Sequence, residues 1–455
     1  MVYDLMILGG GPAGYLAAER AGHAGLKVAL VEERELGGVC LNEGCIPTKT
    51  MLYSAKLYDG VRHGEKYGVS AENLTIDHAR AVARKAKVVK SLVAGVKALM
   101  KANQVAVFSA RGEITGKSAE GYTIKAGEET LTGKRILVAT GSAPAMPPIP
   151  GLKEGFDKGF VLTNREILDL KEIPSRLAVV GGGVIGLEMA SYFNSVGAKV
   201  SVVEMLDHIA GENDQDLVNI LKADFEKKGI TFALSARVTA IEENGVRYEQ
   251  GGESKFIEAD KVLLSIGRRA NTQGLGLETI GVYTERGAVI TDDRMQTNQP
   301  GVYAAGDVTG FSMLAHTAYR EAEVAVNNIL GHGDAMRYEA IPAVLYTNPE
   351  LASVGETEAT AAAKGLPYKT VQLPMKFAGR YQAENEGGRG IMKLLVNTRT
   401  QQVIGLQALS NYASEFIIAA TSFIELGLSL EAIKKIVFPH PTVSEIIREA
   451  VFQYE

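Results

Sequence analysis

The sequence predicts an α/β fold made of two parallel-sheet units of one design, followed by an α+β segment at the C-terminus. Three observations predict it. A strand, glycine turn, helix, strand and acid succeed one another over residues 5–32, and the same order recurs over 177–204 at a constant offset, Gly9 to Gly181 and Glu32 to Glu204. A Pro-dense stretch at 144–150 separates the two copies, since it suits neither a regular helix nor a central strand. From Ile341 onward the pattern changes: 392–396 and 403–409 read as strands, and 413–427 and 430–437 carry helical periodicity.

In the first copy, the apolar run Leu5-Met6-Ile7-Leu8 leads into Gly9-Gly10-Gly11-Pro12-Ala13-Gly14. One glycine permits the tight strand-to-helix turn, one lets backbone approach a pyrophosphate, and one lets helix and strand pack closely. The helix then offers its unpaired N–H groups and positive dipole end to the phosphates. Glu32, at the end of the next strand, can accept hydrogen bonds from ribose hydroxyls. The second copy repeats this with Gly181, Gly182, Gly183, Ile185, Gly186 and Glu204. One such motif is weak evidence, but two with identical glycine-to-acid spacing predict two Rossmann-like domains for adenine dinucleotides. Glu204 would repel a 2′-phosphate and residues 205–210 contain no Arg, so the second site predicts NAD over NADP.

The remaining elements follow in order. The proline stretch places a boundary near residue 147. A strand-like run at 261–266, followed by Gly267-Arg268, closes the second unit, and Tyr303-Ala304-Ala305-Gly306-Asp307 marks a further strand-to-turn region.

With 455 residues, the chain has length for about three domains. Its 46% hydrophobic and 22% charged residues exclude disordered and collagen-like classes. A net charge of −5 without a basic block gives no electrostatic reason to expect binding to nucleic acid or an anionic membrane. The first residues lack the pattern of a secretory signal, and apolar runs fall short of the roughly 20 residues that span a bilayer, so a cytoplasmic location is expected. The two cysteines, Cys40 and Cys45, lie close together, which in a reducing compartment suggests redox chemistry rather than a structural framework.

The cysteines lie in Gly37-Gly38-Val39-Cys40-Leu41-Asn42-Glu43-Gly44-Cys45-Ile46-Pro47-Thr48-Lys49. On a regular helix, positions five apart point about 140° away from each other, so a disulfide here needs a distorted turn, which Gly44 and Pro47 make credible. Such a loop also leaves a disulfide easier to reduce than a structural one. This segment resembles the active-site segment of the FAD-dependent pyridine nucleotide-disulfide oxidoreductases, and its Cys-Leu-Asn-x-Gly-Cys-Ile-Pro-Thr-Lys form is most similar to the dihydrolipoamide dehydrogenases among them. The resemblance spans essentially the whole chain, through Ala139-Thr140-Gly141-Ser142, Ala305-Gly306-Asp307, the run at 347–355, and His440-Pro441-Thr442-Val443-Ser444-Glu445.

The resemblance implies FAD and NAD as cofactors, no metal, and the oxidation of protein-bound dihydrolipoyl groups. It assigns Cys40 to exchange with substrate and Cys45 to contact with the flavin. Among seven histidines, it selects His440 as acid-base, a residue type that titrates near neutrality, with Glu445 orienting it. Read on spacing alone, Thr442-x-x-Glu445 is a capping box, and the two readings of Glu445 need not compete. The family also places Lys49 near the flavin, paired with Glu188, and Asp307 on the ribityl chain. Gly112, Thr140, Gly141, Ser142 and Ala315 are assigned to cofactor binding as well, with Ile185 and Gly267 beside the second nucleotide.

The implied domains are 1–147 for FAD, 148–269 for NAD, 270–339 completing the FAD site, and a C-terminal dimer-interface domain at 340–455. The implied assembly is a homodimer in which His440 and Glu445 come from the other subunit. Its implied partners are lipoyl-bearing proteins of a 2-oxo acid dehydrogenase or glycine cleavage complex. Two positions depart from the family pattern. Phe438 stands where a second histidine is usual, and Glu43 replaces a small apolar residue, adding a charge expected to disfavour thiolate. Glutathione reductase and mercuric reductase are alternatives within the class, and a docking subunit of a multienzyme complex is one outside it. Glu204 and the absence of a C-terminal cysteine pair disfavour the first two.

Overall fold

The computed structural model describes residues 1–454, which divide into two compact units. The first comprises Met1–Thr50, Arg80–Ala145 and Gly267–Arg337, and the second Met51–Ala79, Met146–Ile266 and the described residues from Tyr338 onward.

The first unit is built on a parallel five-stranded sheet, ordered Val302–Ala304, Ile136–Val138, Leu5–Leu8, Val28–Glu32, Ala106–Ser109. Its two central strands are nearly continuous apolar runs because both faces of a parallel sheet are covered. Met6, Leu8, Ala29 and Val31 face a core shared with Ile114, Ile124 and Val302. A smaller sheet runs Val2–Tyr3, Glu129–Gly133, Gly121–Ala126, Gly112–Ser118.

The second unit repeats the parallel design with Val161–Leu162, Lys261–Leu264, Arg176–Val180, Lys199–Val203 and Thr231–Ala233. In both sheets the strand that enters the glycine turn is central, flanked by the strand that ends in the acid and by a late strand returning from the far side of the domain. That is the topological switch point, where the ends of adjacent loops diverge and leave a crevice.

The C-terminal part of the second unit is an antiparallel sheet, Ala343–Leu345, Glu350–Gly355, Val403–Ser410, Ile391–Asn397, Tyr368–Pro374. Helices Ala413–Glu425 and Glu445–Gln453 bury Phe416, Ile417 and Ile447 against Leu394, Leu406 and Ala408. The helix expected over 430–437 stops at Ile433. Lys435 and Ile436 donate only to carbonyls three residues back, and Pro439 and Pro441 follow, each driving the preceding residue away from helical geometry. In the proline stretch, Ser142–Pro144 forms an edge strand paired with Arg268–Ala270, and the rest is irregular. Among the described residues, no helix is long and apolar enough to cross a membrane.

Candidate active site and nucleotide cradles

The two glycine turns match bond for bond. Gly9 and Gly181 take φ of +100° and +107°, which a side chain would strain, and each N–H reaches the partner strand, to Val31 O at 2.8 Å and Val203 O at 2.9 Å. A Cβ at Gly14 would collide with the Gly9 carbonyl oxygen, and one at Gly186 with that of Gly181. These glycines serve helix-to-strand packing. Gly11 and Gly183 differ: a Cβ would meet only Gly38 Cα at 3.7 Å in the first case and nothing within 4 Å in the second. Both cap their helices without any side-chain hydrogen bond. Protein packing therefore does not require these two glycines, and the bare turns leave room in front of open N–H groups for a phosphate.

The acids are placed alike. Glu32 accepts from the Gly10 N–H at 2.6 Å and the Arg34 N–H at 2.7 Å, while Glu204 accepts from the Gly182 N–H at 2.6 Å and the Leu206 N–H at 2.8 Å. Each carboxylate is thus fixed at the turn, with further lone pairs to meet ribose hydroxyls. Ile185 lies one residue into its helix, partly exposed, and Glu188 is buried further along, accepting from the Tyr346 N–H at 3.0 Å.

Beyond the first cradle, helix Gly38–Glu43 carries Cys40, and helix Cys45–Arg62 begins with Cys45. Gly44 breaks them at φ −142°, ψ −109°, the distortion the spacing demands. Both cysteines are half-buried. A hydrogen bond to Cys45 and burial push the Cys40 thiol up, while the Lys49 ammonium pulls the other way. Cys45 opens its helix, with Lys49 one turn further on. Glu43, buried between the two cysteines in sequence, bonds its carboxylate to the Arg34 guanidinium.

Asp307 opens a short 3-10 turn after Gly306, whose φ is +81°. It accepts from Ser142 Oγ at 2.5 Å, and Arg268 donates to Ser142 Oγ and to the Ser142 carbonyl at 2.7 Å each. Thr140 is held by Asn271 on both sides, Oγ1 to the Asn271 carbonyl at 2.7 Å and Asn271 Nδ2 to the Thr140 carbonyl at 3.0 Å. Gly141, at φ +69°, accepts from the Asn271 N–H, and Gly267, at φ +107°, accepts from the Ala145 N–H. Ala315 starts helix Ala315–Ile329 without a side-chain cap. Gly112 is a packing glycine, since a Cβ there would run into Leu8 and Val31.

Sequence reasoning missed five contributors. Glu321, fully buried, accepts the Gly306 N–H at 2.6 Å, and Arg268 and Asn271 tie down the Thr140–Ser142 turn. Tyr319 meets Tyr15 hydroxyl to hydroxyl at 2.5 Å, and both phenols are pushed up, first by burial and also by the nearby cysteines. A buried Glu at helical spacing from Thr317 and Ala318 was a possible signal for Glu321. The others rest on long-range pairing that leaves no periodic trace.

In the C-terminal part, His440 Nδ1 and Glu445 Oε1 are 2.7 Å apart, and the imidazole is 77% exposed while the carboxylate is 18% exposed. Burial raises the Glu445 carboxyl, but the Thr442 N–H and His440 outweigh it and hold it below the usual carboxylate range. With Nδ1 engaged, Nε2 is the ring nitrogen left to take a substrate proton. Phe438 packs against the C-terminal core.

Comparison with known proteins agrees with this geometry. Residues 3–322 match the pyridine nucleotide-disulphide oxidoreductase family, and residues 341–451 match the dimerisation domain of that family. A dihydrolipoyl dehydrogenase of Chlamydia muridarum is 39% identical, with 98% of this chain and 96% of the relative covered. One from Geobacillus stearothermophilus is 38% identical, over 98% and 95%. Among solved structures, LpdA from Mycobacterium tuberculosis superposes with a TM-score of 0.91 at 29% identity, covering both chains fully. The HOCl-induced flavoprotein disulfide reductase RclA of Escherichia coli gives 0.87 at 28%, also over both full chains. FAD and NAD, the cofactors of this family, fit the two cradles. With both cradles, the paired thiols and the C-terminal dimerisation domain in one chain, the protein belongs to the pyridine nucleotide-disulphide oxidoreductases.

Proposed function

We propose that the chain oxidises protein-bound dihydrolipoyl groups to lipoyl groups and reduces NAD, through Cys40, Cys45 and FAD. The observation that carries the reading is the thiol pair astride the Gly44 break, hydrogen-bonded and with Cys45 at a helix N-terminus. Full-length likeness to dihydrolipoyl dehydrogenases supports it.

In the oxidised form, His440 takes the proton of one substrate thiol at Nε2, and Glu445 steadies the imidazolium through Nδ1. The substrate thiolate attacks the Cys40 sulfur, a substrate–Cys40 bond forms, and the Cys40–Cys45 bond breaks with its electron pair on Cys45. The second substrate thiol then attacks the first substrate sulfur, closing the lipoyl ring and releasing Cys40, which is reprotonated. Bound FAD supplies the two-electron relay from the dithiol to NAD. The Glu32 turn would hold FAD, with Thr140, Gly141, Ser142, Asp307, Ala315 and Lys49 as its further contacts. The Glu204 turn, with Ile185, Glu188 and Gly267, would hold NAD.

We further read the segments 1–147, 148–269, 270–339 and 340–455 as the functional domains. In the homodimer, each Cys40–Cys45 pair is served by His440 of the partner subunit. The partners are lipoyl-bearing proteins of a 2-oxo acid dehydrogenase or glycine cleavage complex. The test is NAD reduction by FAD-loaded protein given dihydrolipoamide, beside NADPH oxidation with glutathione disulfide. Fast NAD reduction that Cys40→Ser abolishes is expected, and FAD-loaded wild type without dihydrolipoamide turnover would overturn the reading.

A further inference from the structure

The strand Ile391–Asn397 of the C-terminal sheet is buried from Met392 to Val396, and one of those buried residues is a lysine, Lys393. Its side chain is 3% exposed, and its ammonium donates to three carboxylates, Asp214 at 3.0 Å, Asp216 at 2.6 Å and Glu358 at 2.7 Å. Burial works against the charge, but the carboxylates outweigh it and push the ammonium pKa up. An apolar side chain would stabilise such a strand as well as a buried ion cluster does, so stability alone does not account for Lys393.

Two of the three acids belong to the start of one helix. Asp214 caps Gln215–Lys227, accepting the Asp216 N–H at 3.0 Å, and its side chain is 6% exposed. The residue before it, Asn213, turns back onto the loop that follows Glu204. Asn213 Nδ2 donates to the Ala210 carbonyl at 2.6 Å, and the Ala210 N–H donates at 2.8 Å to the carbonyl of Gly182, whose own N–H is held by Glu204. Ala210 takes φ +62°, which a residue with a Cβ adopts only where its surroundings hold it. On the other side, Asn213 Oδ1 accepts from Ser353 Oγ at 3.2 Å. Ser353 and Lys393 both lie opposite Gln407 in the sheet register, one on each side of it, so their side chains share one row on one face. That row grips residues 213 and 214, where the loop after Glu204 ends.

We propose that Lys393 is a positioning residue for the second nucleotide cradle: through Asp214 and Asn213 it holds the 205–212 loop against the Gly182 turn, and so sets the affinity for NAD and not the rate of thiol exchange. The inference deepens the reading of the Glu204 turn as the NAD site and rests on it. Lys393→Met leaves the buried Asp214 carboxylate facing Asp216 and Glu358 without a cation. The helix start then loosens, Asn213 loses its fixed place, and Ala210 is no longer pressed onto the turn.

The experiment titrates FAD-loaded wild type, Lys393→Met, Asn213→Ala, the Lys393→Met/Asn213→Ala double variant, Asp214→Asn and Gly186→Ala with NADH, and measures kcat with the KM for NAD and for dihydrolipoamide. Lys393→Met and Asn213→Ala should each weaken NADH binding and raise the NAD KM by about tenfold, with kcat and the dihydrolipoamide KM within about twofold of wild type. The double variant should bind no more weakly than either single variant, because both cut one tether. Asp214→Asn keeps the helix cap and loses the charge that Lys393 holds, so it should weaken binding by about threefold, and it decides the matter if Lys393→Met does not fold. Lower thermal stability with NADH affinity unchanged, or losses that add in the double variant, would overturn the inference while Gly186→Ala still weakens binding. If Gly186→Ala also binds NADH as wild type does, the reading of the Glu204 turn as the NAD site fails, and this inference with it.

Discussion

Glu445 divides its carboxylate between His440 and the backbone of Thr442: Oε1 lies 2.7 Å from the imidazole Nδ1, and Oε2 accepts the Thr442 N–H at 2.8 Å. One side chain thus closes a turn and holds an imidazole. Glu445→Gln keeps the size and loses the charge that steadies imidazolium, so kcat/KM should fall by about tenfold or more, or ~1.4 kcal/mol of transition-state stabilisation. Glu445→Ala should also cost about 1 kcal/mol of stability through the orphaned N–H. Because its folded pKa is depressed, the stabilising contribution of Glu445 is present above the ordinary carboxyl range and is lost as pH falls through the folded value. Steady-state kinetics and thermal unfolding of both variants, read at neutral and acid pH, check the two roles separately.

The packing glycines give a test that separates the cradles. Gly14→Ala should leave protein with little bound flavin, because the added methyl meets the Gly9 carbonyl. Gly186→Ala should retain its flavin absorbance while NAD affinity drops by about tenfold or more. Flavin content and NADH titration decide it, and equal loss of both ligands in both variants would contradict separate sites.

Mixing Cys40→Ser and His440→Ala homodimers, with subunit exchange, tests service across the dimer. Random exchange places both defects in one site and leaves the other intact in each mixed dimer, so activity should recover to about a quarter of wild type. No recovery, despite mixed dimers seen by mass, would assign His440 to the cysteines of its own chain.

Asp334 offers an acid-stability readout. The Arg320 guanidinium, with Asn327 and the Ala335 N–H, holds its carboxyl down at about 2 against burial. A depressed folded pKa means its contribution is fully present above about pH 4 and fades as pH falls toward 2. Asp334→Asn should therefore be about 1 kcal/mol less stable than wild type at neutral pH, a modest figure because Arg320 is partly exposed, and the two should converge in acid. Chemical denaturation across that pH range measures the gap.

What the sequence made legible was contiguous. Both glycine turns, their acids, the cysteine pair and the strands near 392–396 and 403–409 are encoded by neighbours in the chain, where period and spacing carry the physics. The Ser142–Arg268–Asp307 knot, the Gly306–Glu321 bond and the Arg34–Glu43 pair depend on segments whose meeting no local pattern announces. Glu43 shows the cost: read alone it is a charge beside two sulfurs, and only its partner reveals it as half of an ion pair. The helix expected through 437 failed for a legible reason, since Pro439 and Pro441 stood in plain view.

Two turns with nearly the same dihedrals and the same carboxylate bonds cannot by themselves tell one dinucleotide from another. Discrimination must come from what each turn is fastened to. The Gly10 carbonyl is claimed by Gly37, at the doorstep of the thiols, whereas the Gly182 carbonyl is claimed by Ala210, after a loop where Met205 and Leu206 lie open to solvent. A grafted adenine-binding loop would therefore carry its grip on a nucleotide but not its choice of one, and engineering of cofactor preference in this chain belongs in residues 33–38 and 205–210 rather than in the glycines.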